Sequence, residues 1–311
     1  MFPSKTAGKR VRAMAALVSS ATFLPSELFS CSLDREPFVF HHTLNHSDLF
    51  TTAAIKRLIE QIGRLPAEIK LLHLIPRHAF PGYFLRKGKP PLKWGTPEFL
   101  RELNEAFDDL EHSQVRIKLS SIQQIEPYGE MLRHWTRELS AVTHIDFEHE
   151  FRPGLATLFI TSPGEVTPYH IDEETNFLLQ IRGCKHAQLY DGNDRRIVTH
   201  EDLERYYEGV RFIEQRSLKP KWPIDIEPGT GVHNPPFFPH KIINGPNVSI
   251  SLSLGFEHRH LPDAQIHRMN LYLRKVGLHP SNPGKHPTSD TLKCALIRKA
   301  LTAKRTLLGY N

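Results

Sequence analysis

The sequence predicts a mainly β fold with flanking helices, centred on an antiparallel jelly roll, that is, a double-stranded β-helix. Three observations predict it. From 155 to 256 the chain runs in short alternating segments parted by Gly, Pro and Asn, the pattern an antiparallel barrel needs. Before that stretch and after Glu257, apolar residues recur at helical spacing instead. With 311 residues, 39% of them hydrophobic and 24% charged, the chain can bury a full core. The expected organisation is a mixed helical flank over 1–110, the barrel over 111–257 and a helical extension over 258–311.

Taken in order, Lys5, Lys9, Arg10 and Arg12 precede a short apolar run, and no acidic residue occurs before Glu27. This faintly suggests a targeting segment, but Ser19 and Ser20 interrupt the run, so an ordinary N-terminal helix or arm is the preferred reading. Pro37, Phe38, Val39 and Phe40 read as a short strand, and Ser47 with Asp48 opens a helix whose Ile55, Leu58, Ile59 and Ile62 form one core stripe. The stretch 86–94 is a loop by its Gly and paired prolines; its four cations and Trp94 could attract an acidic substrate, a solvated loop being the plainer reading. Thr96 then caps a helix with Pro97 at its first position and Phe99, Leu103, Phe107 and Leu110 on its apolar face. A strand over Val115–Ser120 follows.

Within the barrel region the clearest strand is 248–254, where three serines alternate with four aliphatics. The stretch 199–207 reads as a short helix inside an insertion that could cover the mouth of a site. Beyond the barrel, a helix over 263–276 stops at Gly277, a Pro/Gly/His linker covers 278–287, and a last helix spans 288–308.

The chemistry begins at His170-Ile171-Asp172. Strand side chains two apart share a face, so a strand here presents an imidazole and a carboxylate side by side. One more histidine would complete the two-His-one-carboxylate triad that favours Fe(II) and leaves coordination positions open. A bare His-x-Asp means little in a chain with 19 His and 34 acidic residues, so its surroundings decide. Residues 176–183 and 184–190 read as two strands hinged at Gly183, and the second points Lys185, Ala187 and Leu189 to one face. A buried ammonium must find a partner or lose its charge, and a dicarboxylate such as 2-oxoglutarate would be that partner; the alternative is a lysine that snorkels to water. Two histidines compete for the third ligand position. His240 opens an apolar strand after a proline-rich turn and is preferred, with His233 packing or hydrogen-bonding nearby.

These residues carry a resemblance. The pattern Thr-Pro-x-His-x-Asp-x-x-x-Asn-x-x-x-Gln-Ile-x-Gly-x-Lys is met by Thr167, Pro168, His170, Asp172, Asn176, Gln180, Ile181, Gly183 and Lys185, and a later Pro-Gly and Pro-x-x-x-x-His by Pro228, Gly229, Pro235 and His240. By them, 159–256 resembles the Jumonji-C branch of the cupin superfamily, the Fe(II)- and 2-oxoglutarate-dependent oxygenases, and is similar within it to the hypoxia-inducible-factor asparaginyl hydroxylase. The resemblance implies a cupin-like barrel in which His170, Asp172 and His240 hold iron, Lys185 and Thr167 bind the distal carboxylate of 2-oxoglutarate, and Asn176 lines the same pocket. It also implies turnover of 2-oxoglutarate to succinate and CO₂ coupled to hydroxylation of a C–H bond. The chain departs from the pattern at Thr230, where relatives often carry an acid, at Ser253, where an Asn is expected near the cosubstrate, and at Lys118, in place of a pocket Tyr. Lys118 could be a second carboxylate anchor, although an exposed strand lysine is the simpler expectation.

Other classes are disfavoured. The net charge of +6 is spread along the chain, and its best cluster, Lys293, Arg298, Lys299, Lys304 and Arg305, reads as a solvated helix face, with no nucleic-acid motif beside it. Cys31, Cys184 and Cys294 are too few and too scattered for a disulfide framework, which points to a reducing, cytoplasmic setting. No stretch is long enough for a membrane span. His258, His260, His267, His279 and His286 are expected to be surface or structural. The expected activity is hydroxylation of a protein side chain, with demethylation of a basic protein as a variant; hydroxylation of a small molecule and a non-catalytic metal-binding cupin are the alternatives. By the same resemblance, the C-terminal helices could form a homodimer.

Overall fold

The computed structural model describes residues 27–64, 82–86, 96–112 and 114–307. The cationic N-terminal run and all of the loop 86–94 beyond Arg86 lie outside the described residues. Eight helices are used below: α1 (Leu28–Cys31), α2 (Thr52–Arg64), α3 (Pro97–Asp108), α4 (Tyr128–Thr143), α5 (Phe147–Glu150), α6 (His200–Tyr206), α7 (Pro262–Lys275) and α8 (Pro287–Leu307). The strands are β1 (Phe38–His41), β2 (Gly82–Arg86), β3 (Val115–Ser120), β4 (Leu155–Thr161), β5 (Val166–His170), β6 (Thr175–Arg182), β7 (Lys185–Leu189), β8 (Trp222–Ile226), β9 (Thr230–Asn234), β10 (His240–Asn244) and β11 (Ser249–Phe256).

The strands form two sheets, ordered β1-β9-β6-β11-β4-β3-β2 and β5-β10-β7-β8, with antiparallel neighbours throughout. Strands β4 to β11 shuttle between the two, so that β9-β6-β11-β4 faces β5-β10-β7-β8, which is the strand order of a double-stranded β-helix. The first three strands widen the larger sheet, and β1 and β2, though drawn from the N-terminal flank, pair directly into it.

The larger sheet is backed by helices, and there lies the main core. Ile55, Leu58, Ile59 and Ile62 of α2 are at most 2% exposed, as their spacing requires, although a separate 3-10 turn, Asp48–Phe50, precedes the helix because Thr51 is extended. From α3, Leu103 and Phe107 join them, with Leu110 just beyond the helix end. The sequence reading passed over α4. It buries Met131, Leu132, Trp135 and Leu139, and its Trp135 ring lies 6.0 Å from Phe40 and 6.2 Å from Phe177 across the sheet. Burying each such large side chain contributes about 1.5–3 kcal/mol.

Strand β11 is buried on both faces. Ile250, Leu252 and Leu254 join the helix-backed core, while Ser249 and Ser251 bracket the Gln180 side chain at 2.8 and 2.7 Å and Ser253 meets Asn176 at 2.8 Å. The serines are tolerated inside because each has a partner. At the β6–β7 hinge Gly183 has φ +70°, and a Cβ there would lie 2.3 Å from the Val248 carbonyl oxygen, so the position needs glycine. A capping box between Thr199 and Asp202 starts α6 where the sequence predicts, and Gly277, φ +83°, follows α7. Among the described residues no helix is long and apolar enough to cross a membrane.

Candidate metal centre and its cavity

Strands β5 and β10 pair so that His170 and His240 are directly opposite, with ring centroids 4.1 Å apart. The third group arrives differently from the expectation that Asp172 shares a strand with His170. β5 ends at His170, and Asp172 sits in the loop beyond it. Backbone bonds hold that loop in place, from Ile171 N to Arg211 O at 3.1 Å and from Phe237 N to Asp172 O at 2.6 Å. Phe237 adopts φ +61°, uncommon for an aromatic residue, and its ring packs on Tyr206 at 5.4 Å.

The outcome is a compact three-ligand group. Asp172 Oδ2 is 3.5 Å from His170 Nε2 and 3.8 Å from His240 Nε2, and one ligand atom from each residue lies within 4.8 Å of the others. Each Nδ1 faces a carbonyl oxygen, of Pro168 at 2.7 Å and of Phe238 at 3.1 Å, and the Asn234 amide also reaches His240 Nδ1 at 3.1 Å. A proton on Nδ1 leaves Nε2 as a lone pair aimed at the common point. Burial pushes the His170 pKa down to about 4 and that of His240 well below its ordinary value, so both rings are neutral near pH 7. Neutral imidazoles and an ionised carboxylate are what a divalent metal requires, so the donor set fits Fe(II).

Sequence reasoning missed Arg211. Its guanidinium forms an ion pair with Asp172 Oδ1, leaving Oδ2 to face the two imidazoles. Arg211 lies in the insertion between β7 and β8, and only the folded chain brings it to the site; nothing in its local spacing announces it. From the same insertion the Tyr206 hydroxyl accepts from Glu173 N at 3.2 Å, Tyr207 donates to the Glu173 carboxylate at 2.8 Å, and the 64% exposed Phe212 stands 5.9 Å from the His170 ring. The insertion expected to cover the mouth therefore also braces the loop that carries Asp172.

A cavity of about 290 Å³ opens from the triad into the barrel, and all eight side chains predicted for the site line it. Lys185 lies four residues along β7 from Leu189, the partner of His240, or about 13 Å of strand. Its side chain is directed inward with Ala187 and Leu189, and the residue is 7% exposed. Burial, then the nearby Arg116, lowers its pKa to about 7. Arg116 itself is engaged by Glu165 and the Val166 carbonyl, each at 2.5 Å, whereas the Lys185 ammonium meets no acid among the described residues.

Thr167 lines the cavity from β5, and Asn176 and Ser253, hydrogen-bonded to each other, line it from the opposite sheet. Lys118 departs from the simpler expectation. It faces the cavity, not solvent, because β3 alternates, with Ile117 and Leu119 turned to the helix-backed core. Burial, then Arg211, lowers its pKa, while Glu174 opposes the shift.

The competing histidine is structural. His233 is fully buried between Phe38 and Phe177, accepts from Asp34 N at 3.0 Å and has its other nitrogen 3.2 Å from Asn176 O. His258 pairs with the Asp34 carboxylate at 2.6 Å and His267 is buried against His200, so both have structural places.

No protein-family model matches the chain, and no curated protein does. Among solved structures it is similar to Escherichia coli YcfD, with 14% identity over 90% of this chain and 69% of that one and a TM-score of 0.46. A second structure, described as the ribosomal oxygenase YcfD in complex with cobalt and 2-oxoglutarate, shows 16% identity over 90% and 68% with a TM-score of 0.45. A cupin superfamily protein of Desulfitobacterium hafniense matches 33% of this chain and 67% of its own at 14% identity and a TM-score of 0.23.

Proposed function

We propose that this chain is an Fe(II)- and 2-oxoglutarate-dependent oxygenase of the Jumonji-C and cupin type, and that it hydroxylates a side chain of a protein substrate. One observation carries the reading. A two-His-one-carboxylate group and a buried ammonium with no acidic partner among the described residues share a single cavity. Metal ligation explains the first and a carboxylate-bearing cosubstrate the second, and neither is needed for stability.

In this reading His170 Nε2, His240 Nε2 and Asp172 Oδ2 hold the metal. Lys185 pairs with the distal carboxylate of 2-oxoglutarate and the Thr167 hydroxyl donates to it. Near pH 7 only part of the Lys185 population carries the proton before the cosubstrate enters, so pairing draws a proton onto Nζ. Arg211 holds Asp172 to one oxygen, and the apolar wall of Leu178, Leu189, Val232 and Ile242 keeps water from the cosubstrate chain. When bound, the iron supplies activation of O₂, with loss of CO₂ from 2-oxoglutarate and oxidation of a substrate C–H bond.

The test is anaerobic reconstitution with Fe(II) and 2-oxoglutarate followed by succinate release in air, with peptides and metabolites supplied separately and His170→Ala as control. Metal-dependent 2-oxoglutarate binding with turnover raised by peptides is expected. Turnover raised only by metabolites would replace the protein substrate with a small molecule, and absence of both binding and turnover would leave a non-catalytic scaffold.

A further inference from the structure

The loop that carries Asp172 has two sides. Asp172 and Glu174 line the metal cavity, while Glu173 between them does not and turns toward the C-terminal extension. The Glu173 side chain is only 15% exposed, and both of its carboxylate oxygens are engaged. Oε1 accepts from the Tyr207 hydroxyl at 2.8 Å, and Oε2 lies 3.7 Å from the guanidinium of Arg268 on α7. That guanidinium, on a side chain 19% exposed, sits over the Tyr207 ring at 4.4 Å from its centroid. Three segments remote in the chain, the loop after β5, the insertion after β7 and the helix after β11, thus close on one point.

Other ion pairs of α7 do a different task. Arg274 meets Glu204 at 2.8 Å and Lys275 meets Glu208 at 3.1 Å, which ties the helix to α6 and the turn after it. Arg268 goes further, to the residue next to a metal ligand. A carboxylate this far from water is costly unless its charge is matched, and removing one partner of such a pair drives the other toward solvent. Without Arg268, Glu173 would gain by swinging outward, and the peptide it shares with Asp172 would turn with it. Arg211 holds Asp172 by its side chain; Arg268 holds it through the backbone.

We propose that Arg268 is a positioning residue of the metal centre: by fixing Glu173 it keeps the 171–174 loop in the one conformation that aims Asp172 Oδ2 at the two imidazoles. The C-terminal helices are then part of the site and not an appendage to it. The inference rests on the reading of His170, Asp172 and His240 as metal ligands.

The experiment titrates the full chain with Co(II), following affinity and the d–d absorption spectrum, in the wild type, Arg268→Gln, Arg268→Lys and Arg274→Gln. Arg268→Gln should weaken Co(II) binding about tenfold, the low end of what a lost outer partner costs a metal site, and should change the spectrum. Arg268→Lys, which restores the charge without the planar fork, should recover part of the loss. Arg274→Gln breaks an ion pair of the same helix and should leave affinity and spectrum within about twofold of wild type. In the metal-free protein, hydrogen exchange at the Ile171 and Glu173 amides should quicken in Arg268→Gln and not in Arg274→Gln. If Arg268→Gln fails to fold by circular dichroism, Glu173→Gln carries the test, since it keeps an acceptor for Tyr207 and removes only the charge. A wild type that binds no Co(II) removes the ligand reading and the inference with it. Binding by wild type that is unchanged in Arg268→Gln, or an equal loss in both arginine variants, would overturn the positioning role alone.

Discussion

The two sheets of this barrel differ in what they bury. The seven-stranded sheet turns Phe40, Ile117, Leu158, Phe177 and Leu252 against a helical layer, while the four-stranded sheet buries only a small apolar cluster, Ala187, Leu189, Ile226 and Ile242 with Val232, and carries His170, His240, Lys185 and Thr167. The contrast teaches where stability and chemistry sit. A helix-backed face can hold one packed arrangement rigidly, and groups that are costly to bury can then be set into the opposite wall. Three of those groups, the two histidines and Lys185, have pKa values displaced by burial, as do the structural His233 and His267, so it is their convergence on one cavity that sets them apart.

The division breaks if a core mutation on the large sheet alters the site as strongly as the fold. Trp135→Ala should cost about 3–5 kcal/mol in urea unfolding, because the fully buried indole leaves a cavity behind α4. Co(II) affinity of the protein that remains folded should stay within about twofold of wild type; a larger loss would mean that the helical layer tunes the metal centre.

Lys185→Met is the complementary test. On calorimetry it should weaken 2-oxoglutarate binding by about 1.5–3 kcal/mol, the worth of a charged hydrogen bond. It should also stabilise the folded chain at pH 7 by about 1 kcal/mol, since a buried ammonium is replaced by an apolar side chain of similar reach. The folded pKa of about 7 lies below the ordinary 10.5, so the unfolded chain binds the extra proton between these values and wild-type stability rises with pH across that window. The Met variant should lack that slope; an unchanged slope would show that Lys185 is not the group responsible.

Arg211→Gln sharpens the comparison at the metal end. If the guanidinium sets which Asp172 oxygen faces the histidines, Co(II) affinity should fall about 10-fold to 100-fold, with a changed d–d absorption spectrum and partial rescue by Arg211→Lys. An unaltered spectrum would reduce Arg211 to a charge on the rim. Smallest is the pH effect on cosubstrate binding: affinity should be flat below pH 7 and fall about tenfold per unit above it, with one proton taken up per ligand at pH 8 in buffers of different ionisation enthalpy.

Much of this was readable in local pattern. The inward lysine at Lys185, the serine–aliphatic alternation of β11 and the capping box at Thr199 all depend on neighbours within a few residues, where strand and helix periods act. The helix α4 was overlooked although its apolar residues recur at 3 and 4, since two of the residues flanking that pattern, Pro127 and Gly129, suggest a turn. Lys118 was expected outside because strand alternation says which residues share a face and not which face is covered.

By itself, then, the amino-acid order determined the element types and the alternating strands of the barrel, because these follow from periodicity and from residue types a few positions apart. Tertiary structure alone decided that Asp172 leaves its strand, that Arg211 arrives from 39 positions downstream to hold it, that Lys118 turns inward, and that Arg268 closes on Glu173 from a helix beyond the barrel. The reason is physical: burial and ion pairing depend on distances closed by sheet packing and loop bracing, and the energy of those contacts exists only once segments remote in the chain have met.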